Sequence, residues 1–152
     1  MQYDTEHESM YILLADDDED DRLFFKDAIE AVKLRTTLEM VNDGQQLMDR
    51  LERTDLQTPH VIFLDLNMPK KSGLECLVEI RGDERLKDIP VAIYSTSSSE
   101  KDIQQTLIQG ANIYITKPND FQKLKKIISH VISINWQYHT SGMNKENFLM
   151  VV

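Results

Sequence analysis

Several features that would point away from an ordinary single-domain protein are scarce here. Cysteine occurs once, at Cys76, so no internal disulfide can form and a reducing, cytoplasmic setting fits. Positive charge is in deficit: 17 Lys and Arg face 26 Asp and Glu, a formal net charge of −9. Nucleic-acid backbones are held by clustered Lys and Arg, so this balance argues against a nucleic-acid groove, and equally against docking on an anionic membrane. No apolar run approaches the ~20 residues of a membrane span. Residues 1–9 are polar and acidic and lack the basic n-region of a secretory leader. His7, His60, His130 and His139 show no metal-ligand spacing.

What is present suits one domain. A chain of 152 residues, 41% hydrophobic, can bury roughly 70% of its unfolded surface, enough for a core without disulfide or metal staples. Residues 1–9 read as a flexible lead, 10–136 as the domain, and 137–152 as a C-terminal tail. Disorder is the default for that tail, and docking of Phe148–Val152 is the lesser reading.

The domain alternates two patterns. Short continuous apolar runs at Met10–Ala15, Thr37–Val41, Val61–Leu64, Val91–Tyr94 and Asn112–Ile115 predict strands, the clearest of them buried on both faces. Segments with helical apolar spacing follow each of them, at Glu19–Val32, Gly44–Leu51, Ser72–Arg81, Ser98–Gln109 and Asn119–Trp136. Ser72 with Glu75 forms a capping-box pattern, and Gly110 suits a helix C′ position. Strict βα alternation implies an α/β fold, a parallel sheet with helices on both faces. In such sheets ligands bind outside the carboxyl ends of the strands, at a topological switch point.

The residues at those ends are chemically coherent. Asp16, Asp17 and Asp18 follow the first strand, Asp65 the third, Ser95 the fourth and Lys117 the fifth. If the first and third strands are neighbours, roughly 4.8 Å apart, Asp16, Asp17 and Asp65 crowd together. One would have to protonate unless a cation compensates. Mg²⁺ suits such an oxygen site, because it keeps waters and coordinates phosphate. An aspartate can attack phosphorus to give an aspartyl phosphate. Lys117 and the Ser95 hydroxyl would then neutralise and hold phosphoryl oxygens.

The segments ILLADDD (12–18), FLDLNMP (63–69), IYST (93–96) and YITKP (114–118) resemble the receiver domains of response regulators, in the right order and across residues 10–136. The resemblance implies a flavodoxin-like, doubly wound five-stranded sheet of order 2-1-3-4-5. It implies Asp65 as phosphoacceptor. Asp17 and the backbone carbonyl of Asn67 would join Asp65 on Mg²⁺, with Asp16 acting mostly through water. Ser95 is the family hydroxyl, with Tyr114 at the aromatic switch position. Lys117 is the phosphate partner, aimed by a cis peptide before Pro118. The implied partners are a sensor histidine kinase or histidine phosphotransfer protein and a downstream protein target. A homodimer is left open. Because the chain ends soon after the fifth helix, a stand-alone signalling protein, not an enzyme, is expected, with at most weak autodephosphorylation.

Rival readings fit less well. Asp16, Asp18 and Asp20 sit at positions 1, 3 and 5 of an EF-hand template, but Asp21 and Asp27 replace its Gly and Glu. A phosphatase with Asp16 as nucleophile, of the haloacid dehalogenase type, lacks the Gly–Thr that should follow. Asp18 reads as a helix N-cap, and Glu19–Asp21 as acidic residues favoured at a helix start. Cys76 reads as a small core residue, and Lys123, Lys125 and Lys126 as a solvated face.

Overall fold

The computed structural model describes residues 9–141 and 150–151, with side chains described through residue 135. Five strands alternate with five helices: β1 (Met10–Ala15), α1 (Glu19–Ala31), β2 (Thr36–Val41), α2 (Gly44–Leu51), β3 (Val61–Leu64), α3 (Gly73–Arg81), β4 (Val91–Ser95), α4 (Glu100–Ile108), β5 (Ile113–Thr116) and α5 (Phe121–Ser141). A two-residue strand, β6 (Met150–Val151), follows. All neighbouring pairs are parallel, in the order β2-β1-β3-β4-β5-β6.

The order 2-1-3-4-5 is the one expected. The sheet has six strands rather than five, because Met150 and Val151 pair with Ile113 and Tyr114 on the outer edge of β5. Two residues are too few to give a periodic signal, so disorder is the default expectation for the tail, and the lesser one, docking of Phe148–Val152, is what the pairing of Met150 and Val151 resembles. Helix α5 likewise continues past Trp136, since no Gly or Pro interrupts it before Ser141. Residues 1–8 of the lead, and 142–149 and 152 of the tail, lie outside the described residues.

Alternation along the buried strands sorts the core into two layers. Ile12, Leu14, Val61, Phe63, Ala92, Tyr94, Ile113 and Ile115 face α1 and α5, meeting Phe25, Ala28, Leu124 and Ile128. Leu13, Ala15, Ile62, Leu64, Val91, Ile93 and Tyr114 face the other way, onto Leu47, Leu51, Cys76, Leu77 and Ile80 of α2 and α3. Burial on both faces explains why β3 and β4 read as unbroken apolar runs.

The helix starts are locally encoded. Asp18 caps α1, its carboxylate accepting the Asp21 N–H. Ser72 and Glu75 form the reciprocal capping box on α3. At the end of α4, Gly110 takes a φ of 107°, a left-handed conformation that favours glycine. Strand β5 starts one residue later than predicted, at Ile113, although the Asn112 N–H already donates to the Val91 carbonyl at 2.9 Å, and the Asn112 side chain closes the same contact. Its Oδ1 accepts the Val91 N–H at 2.9 Å.

Gly73 ties this scaffold to the strand ends. Its N–H donates to the Leu66 carbonyl at 2.9 Å, and a Cβ here would sit 2.1 Å from the Asp65 carbonyl oxygen. Gly73→Ala should therefore destabilise the fold by about 1–3 kcal/mol, the usual cost of forced overpacking. Urea unfolding checks this; a variant as stable as the parent would contradict the close approach.

Candidate functional site

The site is assembled by the register of the central strands. Ala15 pairs with Leu64, so the next residues, Asp16 and Asp65, emerge side by side. Backbone bonds hold them there: Asp16 N–H donates to the Val41 carbonyl at 3.1 Å, and Asp65 N–H to the Ala15 carbonyl at 3.0 Å. Ser95 pairs with Thr116 across β4 and β5. The Lys117 N–H donates to the Ser95 carbonyl at 2.7 Å. All of the strand-end residues singled out in the sequence thus meet at one edge of the sheet.

Lys117 is the centre of the cluster. Its Nζ lies 2.9 Å from Asp16 Oδ2, 2.9 Å from Asp21 Oδ2 and 3.5 Å from Asp65 Oδ2. The Tyr94 ring lies beneath it, 5.3 Å from ammonium to centroid. Burial alone would favour loss of the lysine proton. The hydrogen bond to Asp21 and the charge of Asp16 and Asp65 outweigh it and hold the ammonium above its ordinary range. The carboxylates outnumber this one cation. Burial pushes the Asp65 carboxyl up to about 6, against the pull of Lys117 and with the help of Asp16.

Carboxylate oxygens of Asp16, Asp17 and Asp65 lie within 4.8 Å of one another. Asp16 is fully buried, and its Oδ2, although close to the ammonium, has no hydrogen-bond partner among the described residues. Opposite ligands of Mg²⁺ are about 4.2 Å apart, given Mg–O bonds of about 2.0–2.1 Å. The all-oxygen donor set, the spacing and the unsatisfied buried oxygen therefore fit a small hard dication. The EF-hand template does not match: Asp18 is spent on capping α1, and Asp20 is exposed on that helix.

Other sequence-predicted residues stand as follows. The Asn67 N–H reaches Asp65 Oδ1 at a long 3.4 Å, which places this exposed residue at the rim. Ser95 is buried, and its Oγ accepts the Ser97 N–H at 3.1 Å. Tyr114 is buried in the inward position, its hydroxyl donating to the Ser97 carbonyl at 2.8 Å. The cis peptide before Pro118 is not found, since no described peptide bond is cis. The trans isomer is favoured by about 0.5–1 kcal/mol for X–Pro bonds, and Lys117 reaches the site through its bond to Ser95. Cys76 is a buried core residue whose thiol burial pushes up to about 12, leaving it unreactive.

Asp21 is the residue that sequence reasoning missed. Its sequence position reads as part of an acidic helix start, and it does occupy the first turn of α1. Its carboxylate, however, is a hydrogen-bond partner of Lys117 from 96 residues away. Tyr94, the platform under the ammonium, was likewise read only as a strand residue.

These features define a class: a doubly wound α/β domain with an acidic, metal-competent cluster and a buried lysine at the switch point. A model of the response regulator receiver domain matches residues 12–129, and the chain belongs to this family. Its members are phospho-signalling proteins, phosphorylated on aspartate, rather than conventional enzymes. The probable methanogenesis regulatory protein FilR2 of Methanothrix harundinacea is 32% identical over 123 residues, covering 79% of each chain. Response regulator Rcp1 of Synechocystis sp. is 32% identical over 126 residues, 80% of this chain and 86% of Rcp1. The crystal structure of the Mn²⁺-bound form of Rcp1 superposes with a TM-score of 0.73 over 82% of this chain and 92% of that one. The phosphorylated cyanobacterial phytochrome response regulator RcpA, 32% identical, gives a TM-score of 0.76 over 90% and 98%. No helix among the described residues is long and apolar enough to cross a membrane.

The raised Asp65 carboxyl makes a signed prediction for metal-free protein. Below the ordinary value near 3.8, folded and unfolded chains are both protonated at this residue and no penalty exists. Between there and about 6 the folded chain keeps the proton longer, so stability falls as pH rises. Above that range the penalty is complete. Asp65→Asn should therefore stabilise the fold at neutral pH by about 1–3 kcal/mol, with a smaller gain in mildly acidic buffer. Urea unfolding in chelator at the two pH values measures it; a gain that grows on acidification would refute the assignment.

Proposed function

We propose that this chain is a response regulator that takes a phosphoryl group onto Asp65 from a phosphohistidine. The donor is a sensor histidine kinase or a histidine phosphotransfer protein, the reaction depends on Mg²⁺, and the setting is the cytoplasm. The observation that carries this reading is the placing of Asp65. It is nearly buried, shares a coordination-sized cluster with Asp16 and Asp17, and lies 3.5 Å from a lysine held as the ammonium.

In the transfer, an Asp65 carboxylate oxygen forms a bond to phosphorus as the bond from phosphorus to imidazole nitrogen breaks. The bonding pair stays with the imidazole, which takes up a proton. Asp16, Asp17, Asp65 and the Asn67 carbonyl are the residues that would hold Mg²⁺, which when bound neutralises charge on the phosphoryl oxygens. A Mn²⁺-bound form of the relative Rcp1 and a phosphorylated form of RcpA support this reading. Lys117 supplies fixed positive charge. The Ser95 hydroxyl, whose oxygen accepts from the Ser97 N–H, would turn its proton toward a phosphoryl oxygen.

The same contacts offer a route outward. Ser95 holds the Ser97 N–H, and the Ser97 carbonyl holds the Tyr114 hydroxyl. Movement of Ser95 toward the phosphoryl group would release the first bond and shift the second. This would reshape the surface of α4, β5 and α5 for a downstream protein. A second copy of the chain is a further candidate for that face. The net charge of −9 favours protein contacts over nucleic acid.

Incubation with acetyl phosphate should add one phosphoryl group, seen by intact-mass spectrometry, only when Mg²⁺ is present. Chelator or Asp65→Asn should abolish the addition. Equal labelling of parent and variant would sink the assignment. Phosphomonoester turnover surviving Asp65→Asn would instead favour a phosphatase using Asp16.

A further inference from the structure

Lys117 touches the phosphoacceptor only through a long hydrogen bond, 3.5 Å to Asp65 Oδ2. Its shorter contacts are to Asp16 and Asp21, both at 2.9 Å, against 3.5 Å to Asp65. The two short contacts also differ in kind. The approach to Asp16 Oδ2 leaves that oxygen without a hydrogen bond, whereas the ammonium donates to Asp21 Oδ2. The ammonium thus makes two hydrogen bonds, a short one to Asp21 at 2.9 Å and a long one to Asp65 at 3.5 Å, and Asp21 holds the shorter.

Asp21 is also well anchored. It is the third residue of α1, and its N–H donates to the capping carboxylate of Asp18 at 3.0 Å. One residue on, Arg22 Nη1 donates to the Asp16 carbonyl at 2.8 Å, fixing the helix start to the end of β1. The helix cannot easily follow the lysine if the lysine moves. On the other side, Lys117 is tied by its backbone to β4 and lies over the Tyr94 ring.

We propose that Asp21 is a positioning residue that holds Lys117 on the α1 side of the site and competes with the phosphoryl group for its ammonium. The inference rests on Asp65 being the phosphoacceptor. An ammonium has three donors, and the resting arrangement gives one of them to Asp21. When a phosphoryl group arrives on Asp65, Lys117 must turn part of that hydrogen bonding toward it. The bond to Asp21 stabilises the unphosphorylated state and so opposes the transfer. By reciprocity, phosphorylation weakens the hold of Asp21 on the lysine.

The test measures the rate of labelling by acetyl phosphate at fixed Mg²⁺. Asp21→Asn keeps the shape and removes the charge, and should label faster by about threefold or more, the scale expected of a coupled charged pair. Asp21→Ser, a second neutral variant, should behave alike if the first is poorly folded. Asp20→Asn removes the same charge one residue away from an exposed side chain, and should leave the rate unchanged. In a Lys117→Met background the gain from Asp21→Asn should disappear. If that background does not label, the comparison with Asp20→Asn decides alone.

A merely structural role for Asp21 would slow labelling or leave it as it was, and either result overturns the proposal. So does a gain that persists without Lys117, or an equal gain from Asp20→Asn. Loss of labelling in Asp65→Asn is scored separately. A chain that labels on Asp65 but gains nothing from Asp21→Asn rejects the role of Asp21 and leaves the phosphoacceptor in place.

Discussion

One buried ammonium among too many carboxylates is the constraint around which this protein is organised. Lys117 faces Asp16, Asp21 and Asp65, and Asp17 stands beside them. Buried charges persist only when paired and hydrogen-bonded, and here the pairing is incomplete. The imbalance shows in two independent ways: the Asp65 carboxyl is raised to about 6, and a buried oxygen of Asp16 lacks a hydrogen bond. Both are relieved by the same addition, a dication between the carboxylates. The cluster is thus poorly satisfied as a structural ion network and well suited as a binding site, which is the usual signature of function at a strained position.

Holding such a cluster together falls to the backbone. Three parallel-sheet positions fix the three key α-carbons, through Asp16 to Val41, Asp65 to Ala15 and Lys117 to Ser95. The loop after Asp65 is held by Gly73, and contains the one non-glycine residue with positive φ among the described residues, Lys70 at 70°. A non-glycine residue in that region costs of order 1–3 kcal/mol and persists only where its surroundings enforce it. Here two backbone bonds flank it, from the Lys71 N–H to the Pro69 carbonyl at 2.7 Å and from the Gly73 N–H to the Leu66 carbonyl at 2.9 Å. Apolar burial on both faces of the sheet therefore supports an electrostatically unfavourable edge, and the two meet at Tyr94, which belongs to one core layer and lies under the Lys117 ammonium.

The division between what the sequence reveals and what it hides follows from this. Strand order, helix caps and the placing of Asp16, Asp17, Asp65, Ser95 and Lys117 are legible because each depends on local patterning plus one topological rule. Asp21 is not. An aspartate in the first turn of a helix is already explained by the helix dipole, so its type and position give no hint of a partner 96 residues on. Its role depends on which side of the sheet edge Lys117 approaches, a tertiary fact. Met150 and Val151 are hidden for a different reason: a two-residue strand is recruited by the free edge of β5 and has no pattern of its own. The trans bond before Pro118 marks where resemblance to a family overreached the individual chain.

The energy scale of the outward route also follows from these contacts. The bonds from Ser97 N–H to Ser95 and from Tyr114 to the Ser97 carbonyl are each worth about 0.5–1.5 kcal/mol net. Exchanging both against one charge-assisted bond from Ser95 to a phosphoryl oxygen, roughly twice as strong as a neutral one, leaves a net bias near zero. A shift from 1:99 to 99:1 between two states needs about 5.5 kcal/mol. Ser95 alone therefore cannot throw a complete switch under the proposed reading. On that reading Lys117 must contribute, because it would be the other group whose partner changes on phosphorylation, with Asp21 holding it back. The two hydrogen-bond exchanges, one toward β5 through Ser97 and one toward α1 through Asp21, act on the same phosphoryl group from opposite sides. On the proposed reading, a carboxylate at residue 21 would thus lower the share of the switching energy left for the surface of α4, β5 and α5.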